Sequence, residues 1–183
     1  MSEKREQLEN AAADAVQRSG LHNLSFRNLA DQVGVKSSSV HYYFPEKSHL
    51  AIALIERYSA EFAAALRQID DDKKGAVKKL DAFVKLFEDA LKNEKFCLCG
   101  MMAAEVESLD TTSRSALARY FLDTEDWLTV VVAQNHSGGA ANARVVARTI
   151  LSGLEGAILI DRVSGKQHHL KAQRALIRLL VSE

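Results

Sequence analysis

The side chains best suited to chemistry fall between residues 25 and 47. Lys36, Ser37, Ser38, Ser39, His41 and Tyr42 form an almost continuous run in which every side chain can hydrogen-bond and none is acidic. Such a surface can meet a polar, negatively charged partner. Arrangements that break covalent bonds have no counterpart here. The chain holds no phosphate-binding glycine loop, no His-Glu-x-x-His motif, and no Ser or Cys at a nucleophile elbow. An enzyme reading therefore has no residue to name. Cys97 and Cys99 are spaced so that their thiols leave a helix on different sides, and the histidines belong to distant segments. Buried structural thiols are expected there in preference to a metal or redox site. His168-His169 has no matching ligand cluster, so a solvated pair is expected. Neither a metal nor a cofactor is expected.

Stepping outward from the polar run, three short helices must carry it. Leu8, Ala11, Ala12, Ala15 and Val16 recur at helical spacing over residues 5–19, and Gly20 stops that helix. Ser25 is an N-cap candidate for a second helix that Gly34 ends at residue 33. A third runs from Ser37 to Tyr43 and halts before Phe44-Pro45, because proline disfavours helical geometry in the residue before it. Two short helices crossing steeply need a small residue at the crossing and an open turn between them; Ala30 and Gly34 supply these. Leu29, Val33, Val35, Val40 and Tyr43 then point inward, leaving the polar run outside. The spacing predicts a helix-turn-helix. A plain corner of a helical bundle is the competing reading, and Tyr43 and Phe44 are expected in the core under either.

A longer helix starts at Lys47 and keeps an i,i+4 step through Leu50, Leu54, Tyr58, Phe62 and Leu66 to a polar turn at Asp70-Asp71-Asp72. Amphipathic stretches follow at 76–91, 97–109, from Asp110-Thr111-Thr112 to the loop 135–139, and at 140–163 and 170–181 around Gly165. An all-α chain of about nine helices is predicted, in keeping with its single proline. Net charge is zero, and residues 1–50 hold six Lys/Arg against six Asp/Glu. DNA-binding domains are usually basic, but the acids here sit mainly on the first helix and at Asp31. No signal-like segment opens the chain, and its apolar runs, Val130–Ala133 and Ala157–Ile160 among them, fall far short of the ~18 residues that span a bilayer. A cytoplasmic protein with no membrane partner is expected.

The run Ser25-Phe26-Arg27-Asn28-Leu29-Ala30, then Val33-Gly34-Val35, then Ser39-Val40-His41-Tyr42-Tyr43-Phe44-Pro45-Glu46-Lys47 and Leu50 resembles the DNA-binding signature of the TetR/AcrR family. The likeness covers roughly the first fifty residues. It departs at Ser38, where the family often has Gly, and His41-Tyr42 inverts a common Tyr-His order; both changes bear on which operator is read. The resemblance implies a helix-turn-helix domain at 1–47 and a ligand-binding and dimerisation domain at 48–183. It implies that Ser37, Ser38, Ser39, His41 and Tyr42 face base edges and phosphates, with Ser25 and Lys36 in the same set. Arg27 would reach a guanine or phosphate, and Lys47 would hold the DNA backbone.

Past residue 50 the likeness is one of layout. It implies a homodimer through the last two helices, where Gly153, Gly156 and Ala157 would allow close approach and Val146, Ile150, Leu154, Ile158, Leu176 and Leu180 supply apolar area. The other reading of the penultimate helix is the buried centre of a monomer. An effector cavity is expected among Phe83, Phe87, Met101, Met102, Phe121 and Trp127, which otherwise are core. Glu105 and Arg148 would meet a polar group of the effector or pair with each other, because buried charge needs a partner. The implied function is a ligand-responsive regulator, a repressor that binds a palindromic double-stranded operator as a dimer under control of a small molecule. An all-helical sensor or carrier without DNA binding is the alternative.

Overall fold

The computed structural model describes residues 2–135 and 139–181. Among these residues there are nine α-helices and no strand. They are α1 (Glu3–Ser19), α2 (Phe26–Val33), α3 (Ser37–Tyr43), α4 (Lys47–Asp72), α5 (Ala76–Lys92), α6 (Leu98–Ala104), α7 (Thr111–Val132), α8 (Gly139–Ser164) and α9 (His168–Val181). A single 3-10 turn, Val106–Ser108, follows α6. The all-helical architecture predicted from periodicity is the one observed. Two details differ. The helix expected over 97–109 ends at Ala104, where Glu105 leaves helical geometry as its C-cap. The acidic run at 70–72 stays helical, because the Asp70 carboxylate is taken up by Lys79 at 2.6 Å and by the Trp127 indole at 2.9 Å. Of the expected loop 135–139, residues 136–138 lie outside the described residues.

The chain divides into two compact units, Met1–Ala60 with Cys97–Arg119, and Glu61–Phe96 with Tyr120–Glu183. In the first, Leu8, Ala12 and Val16 repeat every four residues and are fully enclosed, together with Val40, Leu50, Leu54, Ile55 and Leu98. One charge is buried with them: Glu9 lies 2.9 Å from Arg5 and 3.8 Å from Arg57, which compensates its removal from water. The Arg5 guanidinium also lies over the Phe44 ring at 5.4 Å.

The second unit is built on α5, whose Leu80, Phe83, Val84 and Phe87 form an apolar stripe buried in the core. Asp161, fully buried near the end of α8, accepts the backbone N–H groups of His169 at 3.0 Å and Leu170 at 2.9 Å, and its Oδ1 lies 2.7 Å from His169 Nδ1. These amides belong to the first turn of α9 and have no partner within their own helix. Arg178 to Asp81 at 2.8 Å and Arg174 to Glu88 at 3.0 Å tie α9 to α5.

Candidate nucleic-acid interface

The helix-turn-helix forms for the local reasons its residues suggest. Ser25 caps α2, its hydroxyl facing the Asn28 amide at 3.5 Å. Ala30 is buried at the crossing with α3. Gly34 closes α2 in the left-handed region, φ 72° and ψ 37°, and its N–H returns to Asp31. Leu29 and Val40 are buried beneath the pair, while Val33, Val35 and Tyr43 are half-buried. The Tyr43 hydroxyl lies 2.9 Å from Ser2 Oγ.

This packing leaves a polar face. Lys36, Ser37, Ser38, His41 and Tyr42 are exposed, Ser39 is half-buried, and Arg27 is exposed on α2. Tyr42 stands 79 % exposed, set edge-on to Tyr43 with ring centroids 5.1 Å apart. A large aromatic held so far into water is poised for contact. His41 sits edge-on to Phe26 at 5.1 Å, and its Nδ1 lies 3.4 Å from the Pro45 carbonyl oxygen, so its ring orientation is constrained from two sides. Lys47 has partners within the protein. Its ammonium donates to the carbonyls of Leu21 at 3.1 Å and His22 at 3.3 Å, in the connection between α1 and α2. Beside it lies a pocket of about 160 Å³ lined by Leu21, His22, Lys47, Ser48, Ala51, Ser108 and Leu109.

Comparison with known proteins bears directly on this geometry. Residues 9–54 match the family of bacterial regulatory proteins of the tetR type, and residues 76–175 match the C-terminal domain of LmrA/YxaF-like transcriptional regulators. Together the two matches take in more than half of the chain. The chain belongs to the TetR family of transcriptional regulators. A TetR regulator from Legionella pneumophila superposes with a TM-score of 0.92 at 27 % identity, over 99 % of this chain and 98 % of that one. A TetR-family regulator from Agrobacterium tumefaciens gives 0.89 at 25 % identity, over 97 % of both chains. An HTH-type transcriptional regulator from Staphylococcus aureus is 29 % identical over 70 residues, a stretch covering 38 % of this chain and 38 % of that relative. Family and fold are those of transcriptional regulators, not of enzymes.

In this TetR-family chain the residues expected to share one effector cavity are divided between the two units. Phe83, Phe87, Phe121, Trp127 and Arg148 belong to the second, and Met101, Met102 and Glu105 to the first. Within the second unit Phe83 packs on Phe62 at 6.1 Å, Phe87 at 5.5 Å and Trp127 at 5.6 Å, and Phe121 lies edge-on to Tyr120 at 5.2 Å. Met102 is fully buried in the first unit and Met101 half-buried. Glu105 and Arg148 each have a partner within their own unit. Arg148 meets Glu125 at 3.0 Å, alongside Arg144 at 2.7 Å, and the Arg148 and Arg144 guanidinium groups hold the Glu125 carboxyl below its ordinary value. Glu105 accepts the His22 amide at 2.8 Å. It does so because α6 ends at Ala104 and its C-cap faces the α1–α2 connection. Periodicity carried no signal for that contact, which spans 83 positions of sequence.

The residues expected at a dimer interface differ in their exposure within the protomer. Ile150, Leu154, Ala157 and Ile158 are buried in the protomer's own core, so they offer a partner almost no surface. Val146, Gly153, Gly156 and Leu180 are half-buried, and Leu176 is exposed. The outward apolar positions of α8 and α9 are Val145, Leu159, Ile160, Val163, Leu176 and Leu179, with Val163 91 % and Leu179 73 % exposed. Spacing alone drew the expected set from both the inner and the outer side of these helices. The side chain of Gln173 covers Gly153, whereas Gly156 has open space where a Cβ would stand. Cys97 and Cys99 are buried, and Cys97 Sγ accepts the Gly100 amide at 3.3 Å. Among the described residues no cluster of His, Cys, Asp and Glu could hold a metal ion, and no helix is long and apolar enough to cross a membrane.

Proposed function

We propose that this chain is a cytoplasmic repressor that binds a palindromic operator as a homodimer and releases it when a small molecule occupies the body. The observation that carries the reading is the face of α3 from Lys36 to Tyr42, polar, non-acidic and held outward on a helix-turn-helix. A short helix of this kind enters the major groove, where hydroxyl, imidazole and phenol groups can reach base edges and Lys36 and Arg27 can reach phosphate or guanine. Two such helices related by a twofold axis read an inverted repeat whose half-sites are spaced by whole turns of DNA.

The exposed apolar stripe on α8 and α9 supports the dimer. Val145, Leu159, Ile160, Val163, Leu176 and Leu179 are large apolar side chains left in water on two packed helices, and patches of this kind mark interaction surfaces. Twofold dimers dominate among homo-oligomers, and a two-helix face is self-complementary under that symmetry. Arg144, Arg148, Glu125 and Asp126 add a charged surface on α7 and α8.

A mostly apolar effector fits the aromatic-rich second unit. For such a ligand to release DNA it must bind the non-operator conformation more tightly, and DNA must then weaken ligand binding by the same factor. The test is a gel shift with duplex DNA flanking the protein's own gene, set against a scrambled duplex of equal length. A discrete complex on the flanking DNA alone is expected, with protection of two symmetric half-sites. Equal binding to both duplexes at every salt concentration would leave only a sensor or carrier without operator recognition.

A further inference from the structure

Residues 97–119 belong to the same compact unit as the helix-turn-helix, although residues 61–96 intervene in the chain. One side chain of that segment reaches the connection between α1 and α2. Glu105 Oε2 accepts the His22 amide at 2.8 Å, and the rest of its carboxylate packs against Gly20 so closely that a Cβ there would collide with it. Gly20 is buried with φ at +86°, so glycine is required at this point for both backbone and space. From the opposite direction Lys47 Nζ donates to the Leu21 and His22 carbonyls at 3.1 and 3.3 Å. The connection is thus gripped by a carboxylate on its N–H and an ammonium on its C=O groups. Hydrogen bonds to ionised partners are shorter and stronger than neutral ones. Buried Leu21 and Leu24 anchor the same stretch, and α2 begins at Phe26 immediately beyond its cap.

We infer that Glu105 and Lys47 form a two-sided clamp that positions α2 and α3 for operator contact, with Glu105 a positioning residue for DNA binding and Lys47 spent on the clamp rather than on phosphate. The inference rests on the DNA-binding reading above. It also makes a prediction opposite in sign to simple electrostatics. Removing a carboxylate from a DNA-binding unit should, by charge alone, tighten its hold on a polyanion. Loss of the clamp must loosen it.

The experiment is a salt titration of operator affinity on the full-length chain, using the flanking duplex that the wild type retards. Glu105→Ala is expected to weaken binding by about fivefold to tenfold, the net scale of one lost hydrogen bond. Glu105→Gln, which keeps an acceptor for the His22 amide but carries no charge, is expected to restore wild-type affinity or exceed it. Lys47→Met is expected to weaken binding while leaving the slope of log K against log salt unchanged; a lost phosphate contact would reduce that slope by about 0.9. Should Glu105→Ala fail to fold, Glu105→Asp, one methylene too short for the contact, carries the same test. A Glu105→Ala variant that binds as well as or better than wild type overturns the clamp, as does a reduced slope for Lys47→Met. A wild-type chain that retards no flanking duplex overturns the DNA-binding reading itself.

Discussion

At the scale of single residues, the polar face of α3 is made mostly of side chains exposed to water. Tyr42 is the clearest case, being 79 % exposed. Tyr42→Ala is expected to leave thermal stability within about 0.5 kcal/mol of wild type and to lower operator affinity by roughly 1–3 kcal/mol if the ring meets a base. Parallel melts and gel shifts check both halves, and equal loss on scrambled DNA would assign Tyr42 to backbone contact instead. Gly34 carries the opposite kind of constraint. Its φ is +72°, and nothing stands near the position of an added Cβ, so substitution there is resisted by the backbone alone. Gly34→Val should cost about 1–2 kcal/mol, roughly 2–8 °C in Tm for a chain of this size. Gly34→Asn should cost less, because Asn tolerates the left-handed region. Calorimetry that ranks Val above Asn would be inconsistent with this account. The need for Gly34 and the polarity of Ser37 to Tyr42 are readable in sequence because both are local properties. The partners of Lys47 and Glu105 are not, because each is set by a chain segment remote from it.

At the scale of elements, α9 depends on a side chain supplied by α8. Burial alone would raise the Asp161 carboxyl, but the His169 and Leu170 amides and the His169 ring outweigh it and hold the group below its ordinary value. A carboxyl depressed in the folded state binds fewer protons there than when unfolded, so stability rises with pH through this window. The contribution is complete above the ordinary aspartate value near 3.9 and is lost as pH falls through the lower folded value. Asp161→Asn is expected to cost about 1–3 kcal/mol at neutral pH by leaving one first-turn amide poorly satisfied. The gap between variant and wild type should narrow below about pH 4. Urea melts between pH 3 and pH 7 measure this, and a gap that widened on acidification would contradict it. Periodicity located α8 and α9 and the break at Gly165, yet it carried no sign that Asp161 faces inward as a cap.

At the scale of the whole molecule, the proposed dimer has a test that separates its surface from the protomer core. Val163→Asp places a charge on the outward stripe of α8 without touching the core, since Val163 is 91 % exposed. Sedimentation velocity is expected to show monomer, with operator affinity falling in step because a single half-site remains. Gly156→Leu should act in the same direction, its Cβ meeting nothing within the protomer. A leucine at Gly153 would instead collide with Gln173 inside the protomer and lower its melting temperature. A stable dimer in both Val163→Asp and Gly156→Leu would move the interface elsewhere.

What the amino-acid sequence determined by itself is whatever depends on near neighbours. Helix number and type follow from apolar spacing, the turn from Gly34 and Ala30, and the polar face of α3 from the residues left outside. The family likeness extended that to the fold, which matches at a TM-score of 0.92. Only the tertiary structure decided which apolar face of α8 is inside, because Ile150, Leu154 and Ile158 alternate around the helix with Val145, Leu159 and Val163, all equally greasy. Only it placed residues 97–119 in the unit of the helix-turn-helix and turned Glu105 toward His22. The physical reason is common to both. Periodicity reports that a helix has an apolar side, whereas burial and pairing depend on which other segment the chain brings against it.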